Sequence, residues 1–320
     1  MEKVFELFMA DEGENHTEAW AKLLLPASPY ELRDALQRAR IRLDNPVYLE
    51  VRKYALEMEY LKPYVGIEGE LASLYAFNAL AEKLVSLNAA QRPALKQRLR
   101  AETGPLPIPR LYDLAAGEGA FRNLDLTPVE PDYTALLEVK TAHERGRVTV
   151  MLKLPATEQE LEDALVKTGE EDWTKVSLRC TDCRVPILMD SLTMEGDITR
   201  INEAVRTLKA VPEEKLLKYE ALLEAKGFLS LLEALCLYDT LDRYTLEMDI
   251  RCAEDAGRKE LRLIISSEEV EKIIPHLNLS AYGRQTMEEY HMVLTSYGGF
   301  CRTDGGEFRK RPGSDSGGAA

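Results

Sequence analysis

The chain has 320 residues, 45% of them apolar, a formal charge of −14 and a pI near 5.0. That is enough apolar material for one large core or two to three smaller ones, and the acidity argues against non-specific binding to nucleic acid or to an anionic membrane. Five cysteines, an odd number without framework spacing, fit a reduced cytosol. The opening MEKVFELFMADE lacks the basic start and apolar run of a signal peptide, and Glu233 interrupts even the apolar stretch 228–238, so no membrane span is expected.

In chain order, 4–9 and 19–25 read as two strands, and the acidic, Gly-containing link 11–14 suggests a hairpin. The segment 23–36, LLLPASPYELRDAL, then has a counterpart at 152–165, LKLPATEQELEDAL. The offset is 129 residues throughout, and nine of the fourteen pairs are identical. The pattern is a physical unit: an apolar run stopped by Pro26 or Pro155, and a helix N-cap at Ser28 or Thr157. Glu31 or Glu160 follows at capping-box spacing, with a helical stripe at Leu32/Leu36 or Leu161/Leu165. A strand, a short loop and a capped helix are therefore duplicated.

The strict alternation of 47–51, VYLEV, predicts a strand with one buried face, and 176–180, VSLRC, is its counterpart at the same offset. Helical regions follow at 69–100 and 197–226, where Asn78 and Leu84 match Asn202 and Leu208 at an offset of 124. Ile198, Ile201, Val205 and Leu208 form a core-facing stripe. The next helix has Pro212, Glu213 and Glu214 at its start and Lys226 and Gly227 at its end. A short helix at 229–238 leads to a strand-like 245–250, with 111–117 and 123–126 in the same places of the first copy. Between the copies, 127–147 reads as a connection with one possible strand at 135–139. Beyond the second copy, 260–265 is expected as a strand and 267–274 as a capped helix. The expectation is an α+β fold of serial small modules, extended in shape because each buries its own core. The modules are 1–126, a linker 127–147, an acidic second module 148–259, a C-terminal module 260–301 and a disordered tail 302–320.

The charge is uneven. Residues 1–20 carry net −5, 21–149 net +1, 150–260 net −9 and 261–320 net −1. In the helix from 213, Glu213, Glu220 and Glu224 fall on one flank, with the closer pair about 6 Å apart along the axis. That is of the order of two phosphate steps, at about 3.4 Å each, on one DNA strand. The matching first-copy helix carries Arg92, Lys96, Arg98 and Arg100 instead, so the two copies cannot present the same charge surface.

Catalytic and cofactor constellations are absent from the sequence. Cys180-Thr-Asp-Cys183 is the one CxxC, but Cys180 takes the place of Val51 and Cys183 that of Tyr54, so both read as small buried hydrophobes. Cys236, opposite Ala115 or Ala116, is read the same way. The histidines, His16, His143, His276 and His291, share no metal spacing, and His16 beside Asp11, Glu12 and Glu14 reads as part of a polar turn before a weak cation site. There is no phosphate-binding glycine loop and no nucleophile elbow. No enzyme, metal or cofactor is expected.

The sequence LNLSAYGRQ at 277–285, followed by Thr-Ser-Tyr-Gly-Gly-Phe, resembles the C-terminal signature of the ArdA antirestriction proteins. The segment 201–225 is similar to that family's central helical segment, and EAWAKLLLPASPYEL to its N-terminal module. The near-literal motif is Ala281, Tyr282, Gly283 and Arg284, while Asn278, Ser280 and Gln285 stand where the family often carries acids. The resemblance implies a cytoplasmic, non-enzymatic protein of a mobile element, an elongated homodimer that binds no nucleic acid itself. Its carboxylates would imitate DNA phosphates in the DNA groove of type I restriction–modification enzymes. The carboxylates offered to that partner are then Glu160, Glu162, Asp163, Glu170, Glu171, Asp172, Glu213, Glu214, Glu220 and Glu224, with Tyr282 and Arg284 serving the fold. Two other readings stand beside it: an acidic interaction or scaffold protein with an ArdA-like fold and no nuclease inhibition, and, more distantly, a hydrolase using scattered carboxylates.

Overall fold

The computed structural model describes residues 2–11, 20–41, 47–66, 71–141, 148–227 and 229–307, and it is an α+β protein of helices and small antiparallel sheets. The link 12–14, His16, His143 and the tail beyond 307 lie outside the described residues. The chain divides into two compact units, Met1–Asp132 and Tyr133–Ala320.

In the first unit, β1 (Phe5–Asp11), β2 (Trp20–Leu25) and β3 (Val47–Tyr54) form an antiparallel sheet in the order β2-β1-β3. Period-two alternation turns Leu7, Met9, Leu23, Leu25 and Leu49 inward. They pack with α1 (Pro29–Arg38), α2 (Leu71–Ser86), α3 (Gln91–Leu99) and α4 (Ile108–Ala116) around one core that includes Phe77, Leu80, Leu84 and Leu111. The outward face carries Phe8 stacked on Trp20, with Tyr48 edge-on and the Arg52 guanidinium over the Phe8 ring.

The second unit starts with the same construction. β4 (Ala135–Thr141), β5 (Thr149–Leu154) and β6 (Val176–Cys183) pair in the order β5-β4-β6, and α5 (Glu158–Thr168) follows β5. The strand expected inside 127–147 is thus the middle strand of this sheet. The register repeats as well as the order: Phe5 faces Leu25 and Tyr54, and Ala135 faces Leu154 and Cys183. A bulge falls between Glu6 and Leu7 in one sheet and between Leu136 and Leu137 in the other. The Leu25–Pro26 and Leu154–Pro155 bonds are both cis. Both capping boxes form, with Glu31 accepting from the Ser28 amide at 2.8 Å and Glu160 from the Thr157 amide at 2.7 Å.

The helical part continues with α6 (Met189–Glu195), α7 (Ile198–Lys209), α8 (Glu213–Lys226) and α9 (Leu231–Tyr238). A buried asparagine ties each repeat together. Asn78 accepts from the Ala27 amide at 2.7 Å and donates to the Ala27 carbonyl at 3.0 Å, while Asn202 makes the same pair of bonds to Ala156, both at 2.8 Å. Each amide side chain satisfies both backbone groups of the residue after the proline, groups that no ladder reaches. The two offsets in the sequence, 129 for the strand–helix unit and 124 for the asparagines, thus meet in one contact.

The rest of the second unit is β7 (Tyr244–Glu247), α10 (Ala253–Ile264), α11 (Ser267–Ile273), α12 (Leu279–Glu289), β8 (Val293–Thr295) and β9 (Gly298–Arg302). The sheet runs β7-β9-β8, and its Tyr244, Tyr297 and Phe300 join the core formed by Tyr219, Leu222 and Ile201. The expected strand at 260–265 is instead the last turns of α10. Asp255 caps that helix by accepting from the Arg251 and Cys252 amides at 2.9 and 3.0 Å, with Glu254 beside it in the positive first turn. The apolar alternation of Leu261 and Leu263 is the exposed end of an amphipathic helix, and Leu263 is 73% exposed. Among the described residues no helix is long and apolar enough to cross a membrane.

Candidate functional site: an acidic surface on the second repeat

The sequence nominates two groups of carboxylates, and the structure treats them differently. In the first group, Glu160, Glu162 and Asp163 lie exposed on α5, and Glu171 and Asp172 are exposed just after Gly169 ends it. Glu170 is half-buried. Gly169 adopts φ +77 as the left-handed cap, which turns the chain and sets 170–172 beside the end of the helix. Glu160 is held below the usual carboxylate range by hydrogen bonds from the Thr157 amide and hydroxyl. Asp163 accepts from Gln159 at 2.9 Å, and Asp172 caps a short turn by accepting from the Thr174 amide at 2.9 Å. None of these bonds removes a charge. The first turn adds Glu158, which sequence reasoning left out although it stands exposed where the first copy has Pro29.

The second group does not form a solvent-facing flank. Glu220 is 2% exposed, which excludes it from any surface that a partner could touch. Glu224 accepts from the Ser296 amide at 2.7 Å and from the Ser296 hydroxyl at 2.5 Å, tying α8 to the turn between β8 and β9. Glu213 is exposed but accepts from Arg184 at 2.9 Å, and the other terminal nitrogen of Arg184 donates to the Leu208 and Lys209 carbonyls at the end of α7. Glu214, beside Glu213 at the start of the helix, is exposed as well. The physical reason is that α8 is covered on several sides: Leu216, Tyr219, Leu222 and Leu223 are buried, with α9, β8 and β9 packed against it.

Of the signature residues, Gly283 is the one that packing requires. α10 and α12 cross at Gly257 and Gly283, and a Cβ on Gly283 would lie 1.6 Å from the Ala253 carbonyl oxygen. Only a residue without a side chain allows this approach. Arg284 donates to the Ser280 hydroxyl one turn earlier at 3.0 Å, and Ser280 in turn holds Glu254 below the usual carboxylate range. Tyr282 is half-buried and Ala281 exposed on the same helix.

Cys180 and Cys183 are buried in the core of the second unit as free thiols, and the Cys180 thiol is pushed up by its contact with Cys183 and by burial. Both fill the hydrophobic positions expected of them. Cys236 differs from its expectation: it is exposed, because α9 buries Leu231 and Ala234 and turns Cys236 outward. Among the described residues no group of three or more His, Cys, Asp or Glu is placed to hold a metal ion. Comparison with protein-family models gives no match for this chain, and comparison with curated proteins gives none either.

Proposed function

We propose that the protein is an antirestriction protein of the ArdA kind, a non-enzymatic cytoplasmic DNA mimic. In this reading it acts as a homodimer and occupies the DNA groove of type I restriction–modification enzymes. The observation that carries the reading is the unneutralised acidic surface of the second repeat: Glu158, Glu160, Glu162 and Asp163 on α5, followed by Glu171 and Asp172, with no ion pair to any of them among the described residues. Glu158 and Glu162 are one turn apart, about 6 Å along the axis, of the order of two phosphate steps on one DNA strand. Lysines and arginines that line a DNA groove would accept these carboxylates in place of phosphates. The resemblance of 277–285 and 201–225 to ArdA supplies the partner, and the uncovered charge supplies the means. Restriction assays in cells expressing the protein test the reading: protection of incoming unmodified DNA from a type I enzyme is expected. An acidic scaffold with the same fold would give none.

A further inference from the structure

The first unit contains a cleft of about 450 Å³ between α1, α2 and the segment 125–131. That lies within the range of roughly 300–1,000 Å³ that small-molecule sites occupy. Its walls are mostly apolar, with Leu32, Leu36 and Ile41 on one side, Tyr75 on α2, and Leu126 and Val129 on the covering segment. The ionisable groups on its lining are unequal: Glu82, Asp125 and Glu130 against Arg33. Glu82 stands exposed at the mouth of the cleft and accepts from the Asn78 amide at 3.2 Å, the same amide that holds Ala27; partial desolvation by its neighbours raises its carboxyl above the ordinary range. Asp125 is held low by the Thr127 hydroxyl and amide, and so stays charged.

The second repeat shows which of these features the shared fold does not require. At the matching positions it has Arg206 for Glu82, Glu203 for Ala79, Thr199 for Tyr75 and Glu170 for Ile41. Arg206 reaches the Ala156 carbonyl at 3.1 Å and helps close the turn that Asn202 holds. The strand–loop–helix unit keeps the leucine pair as Leu161 and Leu165 but forms without Ile41, without the Tyr75 ring and without the carboxylate. We propose that the cleft is a binding site for a small organic cation, an amine carried on an aromatic or alicyclic body. The body lies against Leu32, Leu36 and Tyr75, and the ammonium group meets the Glu82 carboxylate in a charge-assisted hydrogen bond. An anion would face three carboxylates with one guanidinium to offset them.

The experiment is titration of the full chain with 2-phenylethylamine, 2-phenylethanol and 3-phenylpropionate, followed by calorimetry and by amide chemical shifts. The amine is expected to bind at least about ten-fold more tightly than the alcohol, and the carboxylate not to bind. Glu82→Gln keeps a partner for Asn78 and should bring the amine down to the affinity of the alcohol. Leu36→Trp fills the cleft and should remove binding of both, with Ala79→Trp on the opposite wall as the second filling variant if the first fails to fold. Equal affinity for amine and alcohol, an amine affinity unchanged in Glu82→Gln, or no binding of any probe would overturn the proposal.

Discussion

The two repeats share a backbone plan and differ in what they do with charge. Sheet order, register, bulge, capping box and asparagine tie coincide. In the first repeat the carboxylates of α1 are neutralised: Glu31 pairs with Lys3 at 2.9 Å, and Asp34 pairs with Arg38 at 2.9 Å with both side chains mostly buried. In the second, Tyr133 stands in the place of Lys3, Lys167 in that of Arg38 and Glu162 in that of Arg33. Glu160 and Asp163 keep their charge facing water. The outer sheet face diverges likewise, from Phe8, Trp20, Tyr48 and Arg52 to Glu138, Thr149, Ser177 and Thr181. A duplicated fold thus keeps the bonds that close its backbone and is free to change everything that faces solvent. Function is to be sought where the copies differ.

The largest expected effect tests what they share. Asn78→Ala leaves both backbone groups of Ala27 without a partner and should cost about 3 kcal/mol, since each buried orphan costs roughly 1–3 kcal/mol. Asn202→Ala should cost less, about 2 kcal/mol, because Arg206 still donates to the Ala156 carbonyl. Denaturant unfolding of both variants measures the difference, and equal losses would remove the role given to Arg206.

Neutralisation is tested next. Arg38→Met takes the guanidinium from a mostly buried carboxylate and should cost about 2 kcal/mol. Lys167→Met, at the matching exposed position, should stay within about 0.5 kcal/mol of the parent. A smaller difference still is expected between the cores: Cys180→Val restores the residue type of Val51 and should shift stability by less than about 1.5 kcal/mol. Thiol labelling gives the same contrast without mutation. Cys236 is exposed and should react first with a maleimide. Cys252, its thiol pushed up to about 11 by burial, should react slowly at neutral pH, and Cys180 and Cys183 only on unfolding.

The repeat was readable because its signals are local: proline stop, capping box and helical stripe all fall within fourteen residues. The asparagine tie was readable only as a second offset, since its bond spans 51 residues in one copy and 46 in the other. The acidic flank expected on α8 does not form because its cover comes from far along the chain, with Ser296 lying 72 residues beyond Glu224. Arg184 gave no signal either. It replaces Ala55 in the first copy and acts on carbonyls 24 and 25 residues ahead. At α10, alternation of apolar residues imitated a strand, and only the cap at Cys252 and the glycine crossing at Gly257 decide for a helix.

In the proposed function, uncovered carboxylates of the second repeat take the place of DNA phosphates. The most direct measurement is competition between the purified protein and duplex DNA for a type I methyltransferase, across a range of salt, with the parent and one multiple variant. Reversing Glu158, Glu162, Asp163 and Glu171 to Lys should leave the fold intact, at about half a kcal/mol per exposed site. Competition should fall by at least about ten-fold, and the parent's binding should weaken steeply as salt rises. Full competition by the four-fold reversal, or a parent that never displaces DNA, would contradict the account.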